Sequence, residues 1–293
     1  MTAMFVGLTT LDIAYLVDAY PAEDTKTQAL DQFLGAGGPA ANAAVTYAYL
    51  SRSSPTLLTA VGRHPLAEIV GSDLVEHGVG VLDAIPDSAL QPPLSSIVVA
   101  RQTHTRTVVS LDAQRIEAPF DEAFGAAVGH AGIVLMDGHF RDLAVGIATR
   151  AREAGIPVVL DAGRWKDSHR DLLPLVDIAI CSAVFRPPLT EYNDSSKLFD
   201  AVHAMGPTHV AITRGAEPIR YSGPDGRGEV DVEPVHAVDT LGAGDILHGA
   251  FCHYFTASGD FAGALGSAAA VASVSCRWLG TREWMRHSES LRV

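Results

Sequence analysis

Short apolar runs recur along this chain of 293 residues, and helical patterns separate several of them. The runs lie at residues 3–8, 56–61, 133–136, 157–160, 178–181 and 209–213. The helical stretches lie at residues 38–50, 65–76, 143–153 and 195–205. A run this short suits a strand buried on both faces, and helices between such strands allow them to lie parallel. The alternation therefore predicts an α/β fold with a mostly parallel sheet covered on both faces. Ligands of such sheets lie beyond the carboxyl ends of the strands.

Two stretches break the alternation. Residues 12–17 with 26–34, and 96–101 with 105–112, read as strands with no helix between them. They predict a small antiparallel sheet that projects from the main domain as a lid, inserted from about 12–34 and 95–112. One face of such a lid would cover a substrate and exclude water. An extension of the main sheet, or a dimer surface, fits the same pattern. Pro92-Pro93 and Pro187-Pro188 mark loops, so residues 1–293 read as a single domain.

Hydrophobic residues make up 47% and charged residues 19%, the balance of a soluble globular protein with a large core. The formal charge of −13 argues against bulk binding to nucleic acid or an anionic membrane. Cys181, Cys252 and Cys276 are widely spaced, odd in number and without CxxC spacing, which fits a reducing cytoplasm better than a disulfide framework. Residues 1–11 read as a first strand rather than a secretory leader. No apolar run reaches membrane-spanning length, and residues 262–274 read as a buried helix.

The densest chemistry lies in Asp239-Thr240-Leu241-Gly242-Ala243-Gly244-Asp245, which runs directly into the apolar stretch 246–251. Backbone N–H groups at a helix start carry partial positive charge and suit a phosphate, and glycines let the backbone approach it. A carboxylate is a poor neighbour for a phosphate unless it does chemistry there. Asp245 is the candidate general base, placed to take a proton from an attacking hydroxyl. The alternative is a plain N-cap at Asp245 with turn glycines before it.

Residues 239–245 resemble the DTxGAGD signature of the ribokinase, or PfkB, family of carbohydrate kinases. Gly37-Gly38-Pro39-Ala40-Ala41-Asn42 resembles the family's N-terminal GG…N signature. The resemblance implies a ribokinase-like three-layer α/β/α sandwich and an ATP-dependent sugar kinase. It implies Asp245 as base and the Gly242, Ala243 and Gly244 backbone as an anion hole. It also implies Asp12, Gly37, Gly38 and Asn42 on the sugar, where compact acceptors and donors match hydroxyls. Arg106 resembles a lid arginine of some fructose kinases and reads equally as a surface strand residue; Lys26 is a weaker companion. Thr213, Gly215, Thr240, Gly242, Gly244, Ala272 and Cys276 fall on the nucleotide side. Arg214 is a phosphate contact or a solvated side chain, and a loop near 224–235 would face the adenine.

The family's mid-chain Asn-x-x-Glu motif, tied to Mg2+, is absent: residues 180–186 read Ile-Cys-Ser-Ala-Val-Phe-Arg. Magnesium is still implied by the triphosphate chemistry, with Asp161 an acidic alternative or a turn cap. A monovalent cation behind the anion hole is a further implied group, and a homodimer through the lid an implied assembly. The opening segment is similar to the ketohexokinase branch, and residues 244–260 to bacterial kinases of fructose derivatives, so a ketose or ketose derivative is expected. Pro39 replaces a sugar-contacting asparagine of that branch. A nucleoside or sugar-phosphate kinase of the same fold, or a sugar-binding regulatory protein, are the alternatives. A dinucleotide-binding dehydrogenase is disfavoured because no GxGxxG follows the first strand.

Overall fold

The structure, a computed structural model, describes residues 2–188 and 195–288. Its strands and helices follow in the order β1 (Thr2–Val6), β2 (Thr10–Val17), β3 (Asp31–Gly37), α1 (Pro39–Ser51), β4 (Thr56–Thr59), α2 (Pro65–Glu76), β5 (Gly80–Asp83), β6 (Leu94–Ala100) and β7 (Thr105–Ser110). Then come α3 (Glu122–Val128), β8 (Ala131–Met136), α4 (Arg141–Glu153), β9 (Val158–Ala162), α5 (His169–Leu172), β10 (Ile178–Ser182) and α6 (Ser195–Ala204). The order closes with β11 (His209–Arg214), β12 (Glu217–Gly223), β13 (Gly226–Val230), α7 (Ala243–Ser258) and α8 (Phe261–Ser275).

The main sheet runs β13-β12-β11-β10-β9-β8-β1-β4-β5. From β11 to β5 every pairing is parallel; β12 and β13 add an antiparallel edge. Side chains alternate between two cores, as a doubly covered sheet demands. Ala3 and Phe5 of β1 point into one with α1, α7 and α8, whereas Met4 and Val6 point into the other with α4 and α6. Among the described residues no helix is long and apolar enough to cross a membrane.

The second sheet has the order β3-β2-β6-β7. Its outer pairings are antiparallel and its central one, β2 with β6, is parallel. Each half follows the carboxyl end of a parallel strand, β1 for β2 and β5 for β6, so both enter in the same direction. The strand expected over 26–34 sits later, at Asp31–Gly37. Polar residues 23–28 instead form an exposed loop, and Lys26 lies there rather than on the sheet. The loop expected at 224–235 is in part strand β13, because a tight turn at Pro224-Asp225 folds it onto β12.

Helix starts agree with local chemistry. Pro65 occupies the first turn of α2 while His64 Nδ1 accepts the Leu66 N–H at 3.1 Å. Asp260 caps α8 by accepting the Gly263 N–H at 3.1 Å. Helix α1 is buried along almost its whole length, and α7 lies so close that a Cβ on Gly249 would stand 2.2 Å from the Ala43 carbonyl oxygen.

Candidate active site

Helix α7 begins at Ala243 with Gly242 as its N-cap, in a left-handed conformation with φ 67°. A Cβ at Gly242 would meet Thr281 Cγ2 at 2.6 Å, so glycine is required on both counts. Asp245 therefore sits inside the first turn and is not the cap. Its Oδ2 accepts the Asn42 Nδ2–H at 2.8 Å. The first-turn N–H groups have no partner within the helix and point out of its positive end. Of the three residues expected to form an anion hole, Ala243 turns its N–H back to the Thr240 carbonyl at 3.3 Å. Gly244 is exposed.

Asp239 is buried behind this loop and braces it. Its Oδ1 accepts the Leu241 N–H at 2.9 Å and its Oδ2 the Gly280 N–H at 3.0 Å. The Cys276 carbonyl accepts the N–H groups of Val238 and Asp239.

Burial, and then the nearby Asp161 carboxylate, push the Asp245 carboxyl up to about 7, opposed by the Asn42 hydrogen bond and by His248. Asp161 is the penultimate residue of β9, at the carboxyl edge of the sheet. His248 Nδ1 lies 3.5 Å from its Oδ2 and 2.6 Å from the Gly244 carbonyl. Two carboxylates thus share the mouth of α7.

Asp12 is buried in the second sheet, where Thr10 Oγ1 donates to its Oδ1 at 2.5 Å. Burial raises its pKa, against the Thr10 and Ser95 hydroxyls and the charge of Arg282. Gly37 pairs opposite Thr10. A Cβ there would stand 2.0 Å from Asp12 Oδ2, and one on Gly38, with φ 93°, would stand 2.4 Å from the Leu8 carbonyl. The paired glycines let the loop before α1 close over the aspartate.

The register puts Asp12, Ser95 and Ser110 in one row and Leu16, Val99 and Arg106 in another on the same face of the sheet. That face packs Ala14, Ile97 and Val99 toward Leu241 and Leu279 of the main body. From it the Arg106 guanidinium donates to Thr240 Oγ1, so the sheet touches the 239–245 loop directly. Lys26 is not part of this face.

On the side expected to take the nucleotide, Thr213 is the penultimate residue of β11 and Gly215 makes the turn to β12 with φ 65°. The Arg214 guanidinium is bound by Glu217 at 2.6 Å and by the Pro218 carbonyl, which takes it away from any phosphate. Ala272 and Cys276 are buried along the last turn of α8 and its end. Where the Asn-x-x-Glu motif would fall, Ser182 donates to the Gly163 carbonyl at 2.8 Å and Phe185 packs on Trp165 and His169. No group of three or more His, Cys, Asp or Glu residues suited to a metal occurs among the described residues. Asp161 is the acidic side chain at hand, and a magnesium ion carried mainly by phosphates and water needs no more than one.

Sequence reasoning missed Arg282, Asp73 and His248. Arg282 Nη1 donates to Asn42 Oδ1 at 3.0 Å, and its Nη2 to Asp73 Oδ2 at 3.1 Å. These pairings join positions 240 and 209 residues apart, which no local pattern announces.

A glycine loop that runs into a helix, a half-buried carboxylate in its first turn and a second sheet that touches the loop form the arrangement a phosphotransferase acting on an alcohol would need. The chain matches the model of the pfkB family carbohydrate kinases over residues 2–287, and it belongs to that family. The ribokinase of Arabidopsis thaliana is 25% identical over 261 residues, covering 84% of this chain and 68% of the plant protein. Mouse (Mus musculus) ketohexokinase is 31% identical over 107 residues, 36% of each chain. The solved structure of the Arabidopsis thaliana ribokinase complexed with ribose and ATP superposes with a TM-score of 0.76 at 19% identity, covering 95% of this chain and 93% of that one.

Proposed function

We propose that this carbohydrate kinase transfers the γ-phosphoryl group of ATP to a hydroxyl of a small sugar, with Asp245 as general base. The observation that carries the reading is the Asp245 carboxylate at the start of α7, inside the first turn and not as its cap. Asp12, Gly37, Gly38 and Asn42 are the proposed sugar contacts. Gly242, Ala243 and Gly244 are the proposed anion hole, with Ala243 the least available donor because it bonds within the loop. Thr213, Gly215, Thr240, Ala272 and Cys276 are proposed to border the nucleotide.

The reaction follows from this placement. Asp12 holds a sugar hydroxyl and orients the acceptor. Asp245, poised near neutrality, takes the proton from the attacking hydroxyl as the new oxygen–phosphorus bond forms and the bond from the γ-phosphorus to the bridging oxygen breaks, releasing ADP. The α7 N–H groups steady the charge on the transferred phosphoryl group. Arg106 and the face of the second sheet exclude water. Magnesium, when bound, supplies charge neutralisation on the triphosphate, and Asp161 is the residue that would hold it. A monovalent cation would find the Asp239 carboxylate and the Cys276 carbonyl, both already engaged by backbone N–H groups.

A ketose or ketose derivative is the first substrate class to test, supported by the local ketohexokinase similarity. A sugar phosphate is the second, supported by Arg106 on the inner face of the sheet. We further propose a cytoplasmic homodimer through the outer face of that sheet. Leu34 and Val109 lie in one cross-strand row with Ile13 and are 53% and 68% exposed. An ATP-consumption assay over ketoses, aldopentoses, their phosphates and nucleosides tests the reading. Turnover of one sugar class supports it; no turnover, with ligand still bound, favours a regulatory sugar-binding protein.

A further inference from the structure

Arg282 is only 9% exposed and its guanidinium reaches four residues. Nη1 donates to Asn42 Oδ1 at 3.0 Å and to Thr281 Oγ1 at 2.8 Å; Nη2 donates to the Ala36 carbonyl at 2.7 Å and to Asp73 Oδ2 at 3.1 Å. Asp73 Oδ2 also accepts the Ala36 N–H at 3.2 Å. Ala36, the residue before the Gly37-Gly38 loop, is therefore gripped at both its backbone groups by one ion pair.

A guanidinium has donors and no acceptor. The Asn42 atom that faces Arg282 must be the carbonyl oxygen, which leaves the amide nitrogen for Asp245. An asparagine free to flip would spend part of its time presenting oxygen to the Asp245 carboxylate, a repulsive contact. The geometry fixes the amide from behind.

We propose that Arg282 is a positioning residue for phosphoryl transfer: it locks the Asn42 amide with nitrogen toward Asp245 and ties the end of β3 to the same lock through Ala36 and Asp73. The inference rests on Asp245 being the base. It makes the sugar loop and the base parts of one hydrogen-bonded unit, Asp73–Arg282–Asn42–Asp245. Arg282 acts through Asn42 and touches no reacting atom.

Two variants test this. Arg282→Lys keeps the charge, but one ammonium cannot span Asn42, Ala36 and Asp73 together. Arg282→Met keeps bulk and removes every bond. Initial rates with Mg·ATP and whichever of D-fructose or D-ribose the wild type phosphorylates are measured against pH, and the Asp245 carboxyl is titrated by carbon-13 NMR, assigned with Asp245→Asn. We expect kcat about tenfold lower for Arg282→Lys and about a hundredfold lower for Arg282→Met. We also expect the acidic limb and the Asp245 titration to move to higher pH and the KM for ATP to stay within about twofold. A merely structural arginine would lower the melting temperature and leave the titration where it was. A folded Arg282→Lys enzyme with wild-type kcat, acidic limb and Asp245 titration overturns the proposal, even where Arg282→Met fails to fold. Failure of the wild type to phosphorylate either sugar would count against the kinase reading alone, since the NMR titration still decides the role of Arg282.

Discussion

Asn42 Nδ2 stands 2.8 Å from Asp245 Oδ2, although the two residues are 203 positions apart in the chain. The bond joins α1, which begins after the Gly37-Gly38 loop, to α7, which begins at the end of the 239–245 loop. It holds the carboxylate in place without neutralising it. Asp245→Asn removes the basic oxygen while keeping the size of the side chain. We expect kcat to fall by about a thousandfold, with ATP-analogue and sugar affinities unchanged within a few fold by calorimetry. Near-native turnover in this variant would exclude Asp245 as the base.

The pH dependence follows from the same environment. Burial and Asp161 push the Asp245 carboxyl up to about 7, and a base must be ionised to accept a proton. The kcat/KM of the free enzyme should therefore rise with pH through an acidic limb near 7. Asp161→Asn removes the like charge, so the limb should move to lower pH. A limb that stays in place would separate the two carboxylates electrostatically. The variant should also raise the Mg2+ concentration needed for half-maximal rate if Asp161 holds the ion.

Acid stability should fall in a defined window. Burial holds the His169 imidazole down to about 3, and the folded protein keeps it neutral. Against the opposing effect of burial, His139, by its charge and its hydrogen bonds, and then the Lys166 charge hold the Asp137 carboxyl down to about 2. In each case the unfolded chain binds the proton more readily. His169 contributes stability that is present above about 6.5 and lost as pH falls toward 3; for Asp137 the loss runs from about 4 to 2. Melting temperature measured against pH should decline below 6.5, and His169→Gln should flatten the decline between about pH 6 and 4. An unchanged slope in that variant would mean that another group carries the dependence.

Gly37→Ala should separate sugar binding from nucleotide binding. Its Cβ would fall 2.0 Å from Asp12 Oδ2, so either the loop or the carboxylate must move. Misplacement by about 1 Å is enough for roughly a hundredfold loss. We expect kcat/KM for sugar to drop by about that factor while ATP-analogue affinity holds. Equal losses for both ligands would point to a general unfolding of the loop.

Patterning carried the architecture because β1, β4, β8, β9, β10 and β11 of the main sheet are short apolar runs and α1, α2, α4 and α6 are longer stretches between them. The bounds expected for α2 match residue for residue, since Pro65 opens it and Asp73, Glu76 and His77 break the apolar face near its end. Strand β5 was not legible: Gly80-Val81-Leu82-Asp83 is too short and half-buried at an edge. Strand β3 was misplaced because apolar character begins at Phe33, after a polar stretch whose charges fit a strand or a loop equally well. The site divided the same way. Asp12, Gly37, Gly38, Asn42 and Asp245 sit in local motifs. Arg282 follows Gly280-Thr281 with no pattern around it, and only the folded chain brings it to Asn42 and Asp73.

The parallel pairing of β2 with β6 has a consequence for synthesis on the ribosome. A parallel pair cannot be closed by a hairpin, so β2 and β3 emerge as an antiparallel ribbon and wait for a partner. Helix α1, β4, α2 and β5 must all be made before β6 arrives. Throughout that interval β2 presents an open edge flanked by Leu11, Ala14 and Leu16, a ready template for strands of neighbouring nascent chains. The price of a cover woven from two distant pieces is a vulnerable folding intermediate, and chaperone demand should track the arrival of residues 94–100 more than the completion of the main sheet.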